Sequence, residues 1–210
     1  MPAFAASPVS PAEILEDFLP RAFAEVGLPG GAQDLVVSLG IQLEGDEGGE
    51  WVLHLERGSV RVAAEPRGET ALTYVQTVVD WRGALWEGRG GAMGAQAARL
   101  FRPEATLGGR AGGLGPPHPA ALEKLRALDG VVRVVVSGGD GGDWQLDLKL
   151  GPGALPEAPT TTVTLSAEDA AAMEQGQLDP LQAFMAGRIQ VAGDVSLMLQ
   201  MQAIQMQTGR

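Results

Sequence analysis

At 210 residues the chain suits one large domain or two small ones and is long enough to bury a sizeable core. Its 26 acidic against 15 basic residues give a formal charge of −11, without any basic run, which disfavours a nucleic-acid partner and tight docking on anionic lipid. The absence of cysteine excludes disulfides, thiolate catalysis and cysteine-ligated zinc.

The first ten residues, MPAFAASPVS, lack a basic leader and a long apolar core, and are expected to be mobile. Nowhere do about eighteen apolar residues run together, so the expectation is a soluble, cytoplasmic protein without stable membrane insertion. Ser10 is placed to cap a helix over residues 11–26, with Pro11 at its first position and Glu13 completing a capping box. Pro20 predicts a kink or a division of that helix. Leu39, Ile41 and Leu43 then alternate with small or polar residues, the acidic turn GDEGGE follows, and Trp51, Leu53 and Leu55 alternate in turn, which reads as a β-hairpin. Val60 and Val62 predict a third strand after the Arg57-Gly58 turn, and residues 72–79 a fourth. Residues 80–87, DWRGALWE, read as a helix ending at Gly88. On it Trp81 and Trp86, five positions apart, are expected to point in different directions, and Arg82 and Arg89 flank them.

The same order of events returns in the second half. Residues 119–128 read as a helix opened by Pro119, residues 131–136 as a strand, GGDGGD as an acidic turn, and Trp144, Leu146, Leu148 and Leu150 alternate with polar residues. GDEGGEWVLHL can be laid on GGDGGDWQLDL residue by residue, pairing Trp51 with Trp144 and Leu55 with Leu148. Next come a β-branched strand over residues 161–165 and a helix capped by Ser166, with Asp169 at the capping-box position and an end at Gly176. The chain therefore reads as an internal duplication of a mixed α/β unit of about a hundred residues, within the usual size of a domain. The copies differ at their ends. After Gly88 the first has a helix around residues 92–101, a remnant edge strand at Thr106-Leu107 and then a Gly/Pro-rich linker. The second closes on a strand over residues 188–192, a turn at Gly193-Asp194 and a Met-rich helix capped by Asp194, with Leu197, Met198, Met201 and Ile204 on one stripe. Such a stripe either seals a core or lines an apolar cavity, and periodicity alone does not separate the two.

At these residues the chain resembles the sterol carrier protein-2 family. The likeness rests on the Ser166/Asp169 helix start, Gly176, Leu178-Asp179-Pro180, Ala183-Phe184-Met185, Gly187, Ile189, Val191 and Gly193-Asp194, and covers roughly ninety residues from Pro119 onward. The amino-terminal copy shares its Phe18 to Phe23 opening and its Trp51 hairpin but lacks the Phe-Met-x-Gly and Gly-Asp signatures. The resemblance implies an α+β fold, here a tandem pair with a degenerate copy over residues 11–107, a linker over 108–118 and a carboxy-terminal domain over 119–207. Each unit would have a mostly antiparallel sheet of about five strands with helices on one face.

It also implies an apolar tunnel for a sterol, fatty acid or acyl chain. The candidate lining is Trp144, Leu146, Met173, Leu178, Phe184, Met185, Ile189, Val191, Leu197, Met198, Met201 and Ile204, with the Met-rich helix as lid. No catalytic motif accompanies it. His54 falls on an outward strand face, His118 lies between prolines, the run GRGGAMG follows a helix where a dinucleotide loop needs a strand, and Glu168-Asp169 is a helix start. The expected protein is a non-enzymatic carrier without cofactor or metal, whose partner is an apolar small molecule. The alternatives are an interaction module with a filled core, docking a protein through the amino-terminal copy, and an accessory factor presenting a lipid-tailed quinone precursor.

Overall fold

The computed structural model describes residues 3–27, 34–102 and 119–208. The expected linker at 108–118, the edge strand at Thr106-Leu107 and His118 lie outside the described residues. The chain enters a helix whose first part, Glu13–Phe18, is π-helical and continues as α1, Leu19–Val26. Pro20 lacks an N–H and would crowd the carbonyl four residues back in an α-helix. The widened turn before it, in which the Leu19 N–H reaches Ile14 O, divides the helix at the expected place. Ser10 Oγ accepts from the Glu13 N–H at 3.2 Å, as the capping box requires.

Eight strands follow: β1 Val36–Glu44, β2 Gly49–Glu56, β3 Ser59–Ala63, β4 Leu72–Thr77, β5 Gly130–Ser137, β6 Trp144–Leu150, β7 Thr161–Ser166 and β8 Gln190–Gly193. They form one sheet in the order β3-β2-β1-β4-β6-β5-β7-β8. Only the β1–β4 and β5–β7 pairs are parallel, so the sheet is mostly antiparallel and the fold is α+β. Each half has one hairpin and one parallel partner on its first strand, β1 with β2 and β4, β5 with β6 and β7. The halves differ at the outer side of the second hairpin strand. There β2 carries β3, whereas residues 151–160 after β6 form no strand and β6 takes β4 instead. The four strands of each half thus join in one continuous sheet.

Leu72 faces Leu150 and Tyr74 faces Leu148 across this seam, and the ladder ends at Val75 with Asp147. Beyond it the Gln76 side chain takes over, its Nε2 donating to Gln145 O at 2.6 Å while its Oε1 accepts from the Tyr74 hydroxyl. Burial, followed by the nearby Asp80 charge, pushes the Tyr74 phenol far up, which keeps it a donor.

Helices cover one face of the sheet: α2 Val78–Arg82, prolonged by the π-helical turn Gly83–Glu87, then α3 Gly91–Ala98, α4 Pro119–Leu125, α5 Ala167–Glu174, α6 Pro180–Met185 and α7 Val195–Thr208. Thr77, Ser166, Asp179 and Asp194 side chains accept the first free N–H groups of α2, α5, α6 and α7. The two equivalent tryptophans each pin a helix to the sheet. Trp51 Nε1 donates to Glu16 Oε1 at 2.8 Å and Trp144 Nε1 to Asp80 O at 3.0 Å.

Two expectations are corrected here. Trp81 and Trp86 do not diverge: their rings meet edge-to-face at 5.8 Å. An α-helix separates positions five apart, but the π turn between them lengthens the helical repeat and brings both indoles to one side. Nor does the start of the chain hang free. Phe4 lies 5.3 Å from both Phe18 and Trp86, the Arg102 guanidinium stacks 4.0 Å over its ring, and Trp86 Nε1 donates to Ala5 O at 2.8 Å. A single aromatic in a small-residue stretch is enough to dock it, because aromatic burial outweighs the ordering of a few residues. Arg82 and Arg89 are likewise structural, Arg82 binding Val9 O and Glu47, Arg89 binding Asp80 and the carbonyls of the Gly141–Asp143 turn.

The other face of the sheet is mixed, with buried Val52, Val75 and Val131 beside polar pairs. His54 is held between Ser38 Oγ at 3.0 Å and Glu65 at 2.6 Å, and Arg133 grips Asp147 through two bonds of 2.8 and 2.7 Å. Lys149, fully buried, donates to Asp129 Oδ1 at 2.8 Å and to the carbonyls of Leu150 and Pro152 at 2.7 and 2.9 Å. It fastens the irregular stretch that follows β6 in sequence as β3 follows β2. Lys149→Met should lower unfolding stability by about 3 kcal/mol, because it leaves those carbonyls unpaired; a urea denaturation series measures it, and a change within error would refute the assignment.

Candidate functional site

The strand alternation sets out rows of helix-facing side chains across β6, β5, β7 and β8. One row is Trp144, Val136 and Leu165, all buried. The next is Leu146, Val134, Val163 and Val191, of which Leu146 is buried and the other three stay partly open to solvent. The third runs from Tyr74 through Leu148 and Val132 to Thr161, with Leu148 again partly open. Apolar side chains in the middle of a strand ladder, beneath helices, are normally sealed. Here the middle row keeps partial exposure while the row beside it is closed, and this difference defines the candidate apolar cleft between the sheet and the helix layer.

The walls come from three helices. From α7, Leu197 is buried, lying over the start of β5 where a Cβ on Gly130 would fall 2.8 Å from its Cδ2, while Met201 and Ile204 are part-buried against the core. Met173 of α5 and Ile189 before β8 join them. The third helix is α3, from the other half of the chain, whose Met93 and Ala97, with Leu100 just beyond, pack on the same core. At its start α3 comes very close to α5: Gly91, with φ of +51°, leaves room for no side chain, since a Cβ there would sit 2.7 Å from the Ala170 carbonyl carbon. Gly91→Ala should cost about 2 kcal/mol or more through strain and overlap, read as a fall in melting temperature; unchanged melting would refute this contact.

The lining residues read from the sequence therefore fall into three groups. Met173, Ile189, Leu197, Met201, Ile204, Trp144 and Leu146 gather around the core, with Trp144, Leu146 and Leu197 buried. Leu178, Val191 and Met198 are part-buried. Phe184 and Met185 are 48% and 78% exposed and turn outward with Leu181 at 69%, so they do not line a closed interior. Their helix is only one and a half turns long, and it is Ala183 of α6 that is buried. Val134, Leu148 and Val163 went unassigned although the alternation of VVRVVVS, WQLDLKL and TTVTLS carries them; for Met93, Ala97 and Leu100 nothing local links α3 to β5.

The cleft offers apolar contact and little else. Arg188 and Asp169 close an ion pair where α5 meets the loop before β8. Among the described residues no group of three or more His, Cys, Asp or Glu side chains could hold a metal, and no helix is long and apolar enough to cross a membrane.

The model of the SCP-2 sterol transfer family matches residues 113–206. The carboxy-terminal half of the chain carries an SCP-2 domain. It is 32% identical over 87 residues to hydroxysteroid dehydrogenase-like protein 2 of Rattus norvegicus and 30% identical over 92 residues to sterol carrier protein 2 of the same organism. These matches take in 39% and 40% of this chain and 17% of either relative. A solved sterol carrier protein domain from Helicoverpa armigera is 28% identical, covering 43% of this chain and 75% of that one with a TM-score of 0.29. At a coarse level the SCP-2 domain places the chain with lipid-binding and sterol-binding proteins. The cleft falls within this domain except for the wall contributed by α3.

Proposed function

We propose that the protein sequesters one apolar molecule, an acyl chain or ring system of sterol or fatty-acid type, in the cleft between β5–β8 and helices α3, α5 and α7. The observation that carries this reading is the partly open middle row of Val134, Val163 and Val191 beneath the helices. Each methylene withdrawn from water contributes about 0.8 kcal/mol, so ten give on the order of 8 kcal/mol before association costs. The ligand is held and not transformed. α7 acts as the lid: its first turn is fixed by Leu197 and the Asp194 cap, while Met198, Met201 and Ile204 beyond it are only part-buried and repack easily. The first half arose by duplication of the same unit and supplies α3 in place of a ligand-binding lid of its own.

Native mass spectrometry of the freshly purified full chain should find one apolar molecule per protein, released on denaturation. Protein recovered empty, which also takes up no fluorescent fatty acid, would overturn the reading. That outcome would favour the second one, an interaction module, for which the exposed stripe of Leu181, Phe184 and Met185 speaks.

A further inference from the structure

On the outer face of the sheet, opposite the cleft, Ser38, His54 and Arg61 stand side by side on β1, β2 and β3, since Ser38 pairs with His54 and His54 with Arg61 across the ladders. Glu65, two residues after β3, folds back over this row. Its carboxylate only accepts, so in the neutral imidazole the proton sits on His54 Nε2, which donates to Glu65 Oε1 at 2.6 Å. Nδ1 is then an acceptor, and the Ser38 hydroxyl donates to it at 3.0 Å. A hydroxyl bonded to a base whose other nitrogen is held by a carboxylate is the arrangement that activates a serine nucleophile, here with Nδ1 facing the serine. Ser38, His54 and Glu65 are all half-buried and so stay open to solvent. Arg61 is exposed, and among the described residues its guanidinium has no carboxylate partner. It stands one strand spacing beyond His54, about 5 Å, close to any charge that develops on a carbonyl held over Ser38 and His54.

We infer that Ser38, His54 and Glu65 form a hydrolytic site for short-chain carboxylic esters. Ser38 Oγ attacks the acyl carbon as its proton passes to His54 Nδ1, Arg61 offsets the charge on the carbonyl oxygen, and Glu65 holds the imidazolium through Nε2. The bond from the acyl carbon to the alcohol oxygen breaks, and that oxygen takes the proton from Nδ1. Water then attacks the acyl-serine, giving its proton to Nδ1 and its oxygen to the acyl carbon. The returning proton goes to Ser38 Oγ, which frees the carboxylic acid and restores the site. Along β1 on this face Ser38 is flanked by Val36, 60% exposed, and by Gly40, where a Cβ would lie 2.7 Å from Thr73 Oγ1. A short acyl group therefore finds apolar contact on Val36, while a long one would extend into water.

The test uses the full chain, p-nitrophenyl acetate and a fluorophosphonate, which bonds to an activated serine with loss of fluoride. Nitrophenolate release should fall at least about tenfold in Ser38→Ala and in His54→Gln, and peptide mapping should place the phosphonyl group on Ser38. Glu65→Gln should lower kcat at least about tenfold with KM unchanged, a split that loss of a loop contact alone would not give. Because the chain has no cysteine, Ser38→Cys introduces a single thiol. Iodoacetamide should alkylate it at least about tenfold faster than when His54→Gln is added. Release no faster than with free imidazole, release unchanged in Ser38→Ala, phosphonylation only elsewhere, kcat unchanged in Glu65→Gln, or alkylation indifferent to His54→Gln would each overturn the proposal. Should His54→Gln or Glu65→Gln melt below the parent, Ser38→Ala and the mapped label decide, since that change removes one hydroxyl from a half-buried position. Uptake of a fluorescent fatty acid in the cleft on the other face should be unchanged in Ser38→Ala, which separates failure of this site from failure of the carrier reading.

Discussion

Met201→Trp is expected to abolish uptake of a fluorescent fatty acid, lowering affinity by more than about tenfold while the melting temperature stays within a few degrees of the parent. Met201 is part-buried on the inner stripe of α7, packed against the core beside the partly open strand row, and an indole there has space only by filling the cleft. Filling a void exposes no buried polar group and, unlike overpacking a sealed core, needs little backbone movement. The same substitution at buried Leu197 should behave differently. Leu197 already touches β5 over Gly130, so Leu197→Trp should destabilise the domain as well as block it. Undiminished uptake by a folded Met201→Trp protein would show that the α7 stripe is core and that the ligand, if any, lies elsewhere.

The second large effect concerns the carboxy-terminal half on its own. A fragment of residues 119–208 should fail to give a cooperative thermal transition, although it contains most of the SCP-2 domain. Without the first half, β6 loses its β4 partner, Trp144 loses the Asp80 carbonyl and the backbone of Gly90 packed on its ring, and α5 loses α3. Leu146, Leu150 and Trp144 then face water, and at about 2 kcal/mol per large apolar side chain the loss is on the order of 6 kcal/mol. That is comparable with the whole stability of an ordinary domain. Circular dichroism and a melting curve of the fragment settle it: a sharp transition near that of the full chain would show that the seam is incidental.

Much of this arrangement could be read from the residues. The hairpins announced themselves through an acidic glycine turn followed by Trp and alternating leucines, and the helix starts through Ser10, Ser166 and Asp194, because both signals are local. The joining of the half-sheets was less visible. Its trace is the stretch GPGALPEAPT over residues 151–160, too rich in proline and glycine to supply an outer strand, which leaves β6 an open edge. The alignment of Trp81 with Trp86 was hidden because a π turn has no simple composition. For the cleft, the α7 stripe was legible as apolar but not as half-open, since burial depends on how far a helix stands off the sheet. Phe184 and Met185 showed the limit of motif reasoning: their residue types resemble a lining, yet a helix that buries only Ala183 turns its larger side chains outward.

The β4–β6 seam also bears on how the chain is made. β4 ends at Thr77 and its partner β6 begins at Trp144, so at a synthesis rate of about 5–20 residues per second several seconds pass between them. During that interval the nascent first half holds β4 against β1 on one side and presents its other side as an open edge. Until the second hairpin arrives to occupy it, this edge is the place where a growing chain is open to pairing with a neighbour on the same messenger.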